Sequence, residues 1–171
     1  MKRKHPILHN ILLYSVFIVY LIILCVILFR ARHDIRTIKL VPFGTIIDFL
    51  SRDKVSHIFI ISNLLGNVVL FVPLGIYLAL FNQGENFKKN VFRVFLVSLF
   101  AEIIQVTFKI GVGDIDDIIL NTLGGYIGII IYRTLLLRFK DKNKVRNMIE
   151  IVALVGAIVS VPIWYCYRNR I

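Results

Sequence analysis

Four carboxylates, four amides and a hydroxyl fall inside, or at the ends of, otherwise apolar runs of this chain: Asn63 and Asn67, then Ser98, Glu102 and Gln105, then Asp114, Asp116, Asp117 and Asn121. Their spacing is helical. Asn63 and Asn67 stand four residues apart, Ser98, Glu102 and Gln105 follow at four and three, and Asp117, Asn121, Gly124 and Gly128 repeat the stripe, so each set occupies one helix face. Such groups can do three things. Carboxylates with amide neighbours bind a polar ligand through hydrogen bonds and ion pairs. An acidic run such as Asp114-x-Asp116-Asp117, together with water and phosphate oxygens, suits Mg²⁺. Asn and Gln on membrane helices also bond across to neighbouring helices as plain cross-links. The acidic run equally complements the positive end of a helix that starts beside it. No Ser-His-Asp, Cys-His, P-loop or zinc spacing is present, and no cofactor or metal site is expected.

The elements that must position these residues are membrane helices. A hydrophobic fraction of 58% and a mean hydropathy of +0.80 exceed those of an ordinary soluble domain. Five apolar runs, at 11–29, 58–81, 91–108, 118–137 and 151–167, approach the roughly 20 residues that cross a hydrocarbon core of about 30 Å. Lys2, Arg3 and Lys4 precede the first run, which ends in Arg30 without a small-x-small cleavage site, the pattern of an uncleaved signal anchor. The expected architecture is an all-α, polytopic membrane bundle of about five spans, one domain over residues 1–171. Its longest connection, 30–57, holds six basic and three acidic residues, and Pro42 before Phe43 and Gly44 ends an extended or re-entrant piece of it. The connections at 82–90, 109–117 and 138–148 are short. Pro73 removes a backbone donor from the second span and should kink it near Val69. Cys25 and Cys166 lie at different depths of two apolar runs and read as apolar filler.

The chain carries 21 Lys and Arg against 10 Asp and Glu, a net charge of +11. In a membrane protein that excess follows topology, and with no basic face interleaved with aromatics, nucleic acid is not an expected partner. With the N-terminus cytoplasmic, the inside segments hold ten basic residues and the outside nine; with the long connection set aside the count is ten against three. The N-terminus is therefore expected inside. The second and fourth spans start where the third ends, so Asn63, Gln105 and Asn121 lie within roughly 5 to 10 Å of one membrane face, and Glu102 about 10 Å deep. The aspartate run and the basic connection meet that same face.

Two readings follow. The amides can be interhelical cross-links, with Gly124 and Gly128 on one side and Gly66 and Gly75 opposite allowing close backbone approach. Alternatively the set forms a charge-paired, partly hydrated, outward-facing pocket, in which Arg30, Arg32, Arg36 and Lys39 supply counter-ions to the aspartates and to Glu102.

The motifs resemble those of the VanZ-like family of membrane proteins. They run in order from a basic residue with a Pro-Phe segment, Arg36-Thr37-Ile38-Lys39-Leu40-Val41-Pro42-Phe43, through Gly66-Asn67 with Phe71 and Pro73-Leu74-Gly75, to Glu102-Ile103-Ile104-Gln105. Gly113-Asp114-Ile115-Asp116-Asp117-Ile118-Ile119-Leu120-Asn121-Thr122 with Gly124-Gly125 and Gly128 completes the series. Lys39 stands where members often carry Asn, and Gly111-Val112-Gly113 where many carry an Arg, which leaves Lys109 or the long connection to supply a nearby cation. The resemblance implies a cell-membrane protein linked to low-level tolerance of teicoplanin-type, lipid-bearing glycopeptides through reduced drug engagement at the cell surface. Polar stripes and motifs together give an expected binding set of Arg36, Lys39, Pro42, Phe43, Asn63, Asn67, Glu102, Gln105, Asp114, Asp116, Asp117 and Asn121. Its expected partners are membrane lipid and either the drug or a lipid-linked wall precursor. The alternative is a membrane-embedded, metal-assisted transferase or hydrolase acting on a lipid-linked envelope precursor through Glu102 and the aspartates.

Overall fold

Apolar runs that cross a bilayer must satisfy every backbone N–H and C=O internally, and helices are the local solution. The computed structural model describes residues 6–29, 54–82, 86–110 and 113–168, with side chains at 10–29, 61, 64–82, 86–110 and 113–156. Among them the chain forms five helices and no strand: α1 Pro6–Leu28, α2 Lys54–Phe81, α3 Phe87–Phe108, α4 Ile115–Phe139 and α5 Lys142–Arg168. The fold is all-α. The stretches Asn10–Leu28, Leu64–Phe81, Phe87–Phe108 and Ile115–Phe139 are long and apolar enough to cross a membrane, making this a multi-pass membrane protein. The fifth expected span is helical throughout, within α5. Arg36, Lys39, Pro42, Phe43 and the expected re-entrant piece lie outside the described residues, as does the side chain of Asn63.

Every helix overruns its apolar stretch at the N-terminal end, most of all α5. The expected connection at 138–148 is instead a corner at Lys140 and Asp141 followed by the first turns of α5. Lys140 takes a left-handed conformation (φ 50°) and donates its N–H to Leu136 O. The Asp141 carboxylate then accepts from the N–H groups of Asn143 at 2.8 Å and Lys144 at 3.2 Å. That capping starts the helix before the hydropathy rises.

α2 and α4 run parallel, and their contact is the most extensive in the bundle. Small residues bring their backbones together. A Cβ on Gly124 would lie 2.1 Å from Val68 O, one on Gly128 2.1 Å from Val72 O, and one on Gly75 2.0 Å from Gly125 O. Gly125 faces α3 as well, where a Cβ would meet the Val94 methyls at 2.4 and 2.6 Å. Gly66, expected in this contact, is not: a Cβ there meets no described residue within 4 Å. Gly66 and Gly75 are nine residues apart, two and a half turns at about 3.6 residues per turn, and so face opposite ways.

α1 packs on α2 through Leu24, Phe71 and Leu74 at one level and an aromatic stack at another, Phe17 lying 4.7 Å from Tyr77 and 5.2 Å from Phe81 by ring centroids. Its other face, with Ile18, Ile22 and Val26, is exposed, as suits contact with lipid. α2 continues through Pro73 as one helix. The Tyr20 hydroxyl donates to Leu70 O at 2.8 Å, next to Val69 O, the carbonyl that Pro73 leaves without its usual donor.

Candidate functional site

The polar stripes of α2, α3 and α4 meet at one end of the bundle, around the start of α4. Asp114 is its N-cap: in extended conformation, its carboxylate accepts from Asp116 N at 2.9 Å, satisfying one of the helix's leading donors. Asp116 and Asp117 fill the first turn, where the helix dipole favours negative charge. Glu102 of α3 reaches the same place, its Oε2 accepting from the Asp114 backbone N–H at 3.0 Å. Four carboxylates therefore gather at one helix N-terminus, and Glu102 and Asp116 are buried.

Hydrogen bonds from this centre bind α1 to α4 together. Asn67 Nδ2 of α2 donates to Asp117 Oδ1 of α4. Gln105 Nε2 of α3 donates to Leu28 O at the end of α1, at 2.7 Å. One to two turns deeper, Asn121 Nδ2 of α4 donates to Ser98 Oγ of α3 at 3.0 Å, with both residues fully buried. Of the expected set, Asn67, Glu102, Gln105, Asp114, Asp116, Asp117 and Asn121 are thus brought together.

Spacing alone did not disclose one contact of Glu102, the backbone N–H of Asp114, because it arises from the turn after Phe108, which carries the N-cap of α4 over the carboxylate. That turn is made by Lys109, left-handed at φ 56°, whose N–H closes on Gln105 O and Val106 O. Leu28 O was likewise missed, since a backbone carbonyl leaves no mark in sequence. Ser98 lay on the expected stripe but outside the expected binding set.

Three buried side-chain atoms have no hydrogen-bond partner among the described residues, and two belong to this layer, Gln105 Oε1 and Asn121 Oδ1. Turning the Asn121 amide would exchange which atom meets Ser98 and leave the other unmatched. A small cavity of about 280 Å³ opens between α3 and α4 beside Glu102 and Asp114, its walls otherwise largely apolar, with Ile103, Val106 and Ile118. Among the described residues no three His, Cys, Asp or Glu side chains are arranged to hold a metal ion.

Residues 12–138 match the VanZ/LLP1 family. The chain belongs to that family. The VanZ/LLP1 match runs from α1 to the last turn of α4, so every contact of the polar layer falls within it, and α5 lies beyond it. Protein VanZ of Enterococcus faecium is similar at 29% identity over 167 residues, 93% of this chain and 90% of that protein. No solved structure matches the chain.

Proposed function

We propose that this protein lies in the cell membrane with its N-terminus cytoplasmic, and that it raises tolerance to teicoplanin-type, lipid-bearing glycopeptides by reducing drug engagement at the cell surface. The observation that carries the reading is the likeness to Protein VanZ along nearly the whole of both chains, beside the family resemblance of the motifs. The polar layer around Glu102 and the start of α4 is the proposed binding site. An outward orientation of this site is supported by the basic residues at the opposite ends of the helices, which number ten against three once the long connection is set aside.

Two unmatched acceptors support a binding role over cross-linking. A buried acceptor left unpaired costs about 1 to 3 kcal/mol, and a ligand or bound water carrying a donor removes that penalty. The ligand is the lipid tail or sugar of the drug, or a lipid-linked wall precursor that the drug would otherwise engage. Expression in a susceptible Gram-positive host tests the proposal, with inhibitory concentrations measured for teicoplanin and vancomycin side by side. Teicoplanin tolerance should rise more. Equal shifts for the two drugs, or none for either, would overturn it.

A further inference from the structure

At the opposite end of the bundle a second set of polar residues surrounds a cavity that the proposed drug-tolerance site does not use. It measures about 330 Å³ and is bordered by Asn10 and Tyr14 of α1, Tyr132 of α4, and Lys142, Asn143 and Arg146 of α5. Arg146 donates to Asn10 Oδ1 at 2.7 Å and to the buried Glu150 at 2.8 Å, so the cavity wall is held by one bond from α5 to α1 and one within α5. The surrounding segment, residues 138–150, has five Lys or Arg against Asp141 and Glu150.

Directly along the same four helices lies a larger cavity, about 580 Å³, whose walls are almost wholly apolar. Val19 and Ile23 of α1, Pro73 of α2, Leu135 of α4, and Val152 and Gly156 of α5 are among its lining. On α5 the polar cavity takes residues 142–146 and the apolar one residues 148–156. At about 1.5 Å per residue the apolar part runs roughly 12 Å, close to the depth of one leaflet of a hydrocarbon core of about 30 Å. Basic and amide groups line the polar cavity, and an apolar slot of about one leaflet's depth lies farther along the same helices, with no lining residue in common.

We infer that these two cavities form one binding site for an anionic glycerophospholipid, its phosphate at Lys142, Asn143 and Arg146 and one acyl chain in the slot between α1, α2, α4 and α5. The net positive charge selects an anionic headgroup over a zwitterionic one. Acyl chains are the abundant apolar partner available to a slot that runs along membrane-spanning helices. The site does not depend on the drug-tolerance reading, and it lies at the other membrane face.

The test uses the purified full-length protein in a mild detergent, incubated with dioleoyl phosphatidylglycerol or dioleoyl phosphatidylcholine, with retained lipid counted by native mass spectrometry. Phosphatidylglycerol should be retained in preference. Lys142→Gln should lower its retention about fivefold, the weight of one basic residue at a headgroup, and leave phosphatidylcholine unchanged. Gly156→Phe introduces a ring where a Cβ meets no described residue within 4 Å and should lower retention of both lipids about tenfold. Ile23→Phe blocks the slot from the α1 side and replaces Gly156→Phe if that variant is not monodisperse. Equal retention of the two lipids, or retention that neither slot variant changes, would overturn the inference. So would competition by glycerol phosphate as strong as by the whole lipid, which would make the polar cavity a soluble-phosphate site. A dimer that Gly156→Phe converts to monomer would also overturn it, because the slot would then hold a second copy.

Discussion

Replacing Gly128 by Ala should destabilise the bundle, whereas the same change at Gly66 should not. The new methyl at position 128 would lie 2.1 Å from Val72 O and 3.0 Å from Ile76 N. Both are backbone atoms of α2, so no side chain can rotate away, and the helices must part until the first contact reaches the 3.4 Å of ordinary packing. A separation of more than 1 Å would undo the close approach at Gly124 and Gly75 and stretch the Asn67–Asp117 hydrogen bond beyond use. Overpacking of this kind costs typically about 1 to 3 kcal/mol. At Gly66 a Cβ meets no described residue within 4 Å, and Ala is the better helix former by about 0.5 to 1 kcal/mol. Unfolding of each variant in mixed micelles, titrated with SDS and followed by circular dichroism, measures both. The two midpoints should move in opposite directions from wild type. Equal midpoints for Gly128→Ala and Gly66→Ala would refute the backbone-to-backbone contact of α2 and α4.

Two further outcomes are expected. Glu102→Gln keeps an oxygen to accept from the Asp114 N–H, and Asp117→Asn keeps one for Asn67, so each should insert at wild-type levels by membrane-fraction immunoblot yet lose drug tolerance; wild-type tolerance in both would return these residues to cross-linking. For topology, Lys54→Cys and Lys142→Cys are made separately in a chain with Cys25→Ser and Cys166→Ser. An impermeant maleimide applied to intact cells should label position 54 alone, and labelling at 142 alone would reverse the orientation and the mechanism with it.

What could be read from sequence depended on whether a property is carried by side chains or by geometry. The apolar runs located α1 to α4 because hydrocarbon demands about 20 apolar residues wherever a helix crosses it. Hydropathy marks where the membrane is rather than where the helix is, so α5 starts nine residues before its apolar run, on the strength of the Asp141 cap and the Arg146–Glu150 pair one turn apart. Stripe spacing placed Asn67, Glu102, Gln105 and Asn121 on inward faces. Their partners were a different matter: Leu28 O and Asp114 N are backbone atoms, brought within reach by the Lys109 turn and by how α1 docks on α3. Gly75 and Gly128 follow the small-residue logic of membrane helices, but Gly66 shares their type without their face.

The polar layer and the glycine contact have separable roles, and magnitudes distinguish them. Interhelical hydrogen bonds in membranes average about 0.6 kcal/mol, so the amide bonds of Asn67, Gln105 and Asn121 together contribute about 2 kcal/mol. The two acceptors unmatched among the described residues, Gln105 Oε1 and Asn121 Oδ1, withdraw about 2 to 6 kcal/mol unless something else donates to them. As cross-links alone the amides at best break even, while Gly75, Gly124 and Gly128 already hold α2 and α4 together without them. The layer makes physical sense once something donates to those acceptors. Each one satisfied returns about 1 to 3 kcal/mol, roughly five- to a hundredfold in affinity for whatever supplies the donor. A hydroxyl or a bound water satisfies that requirement and a bare acyl chain does not, so what completes the layer must be a hydrogen-bond donor rather than hydrocarbon.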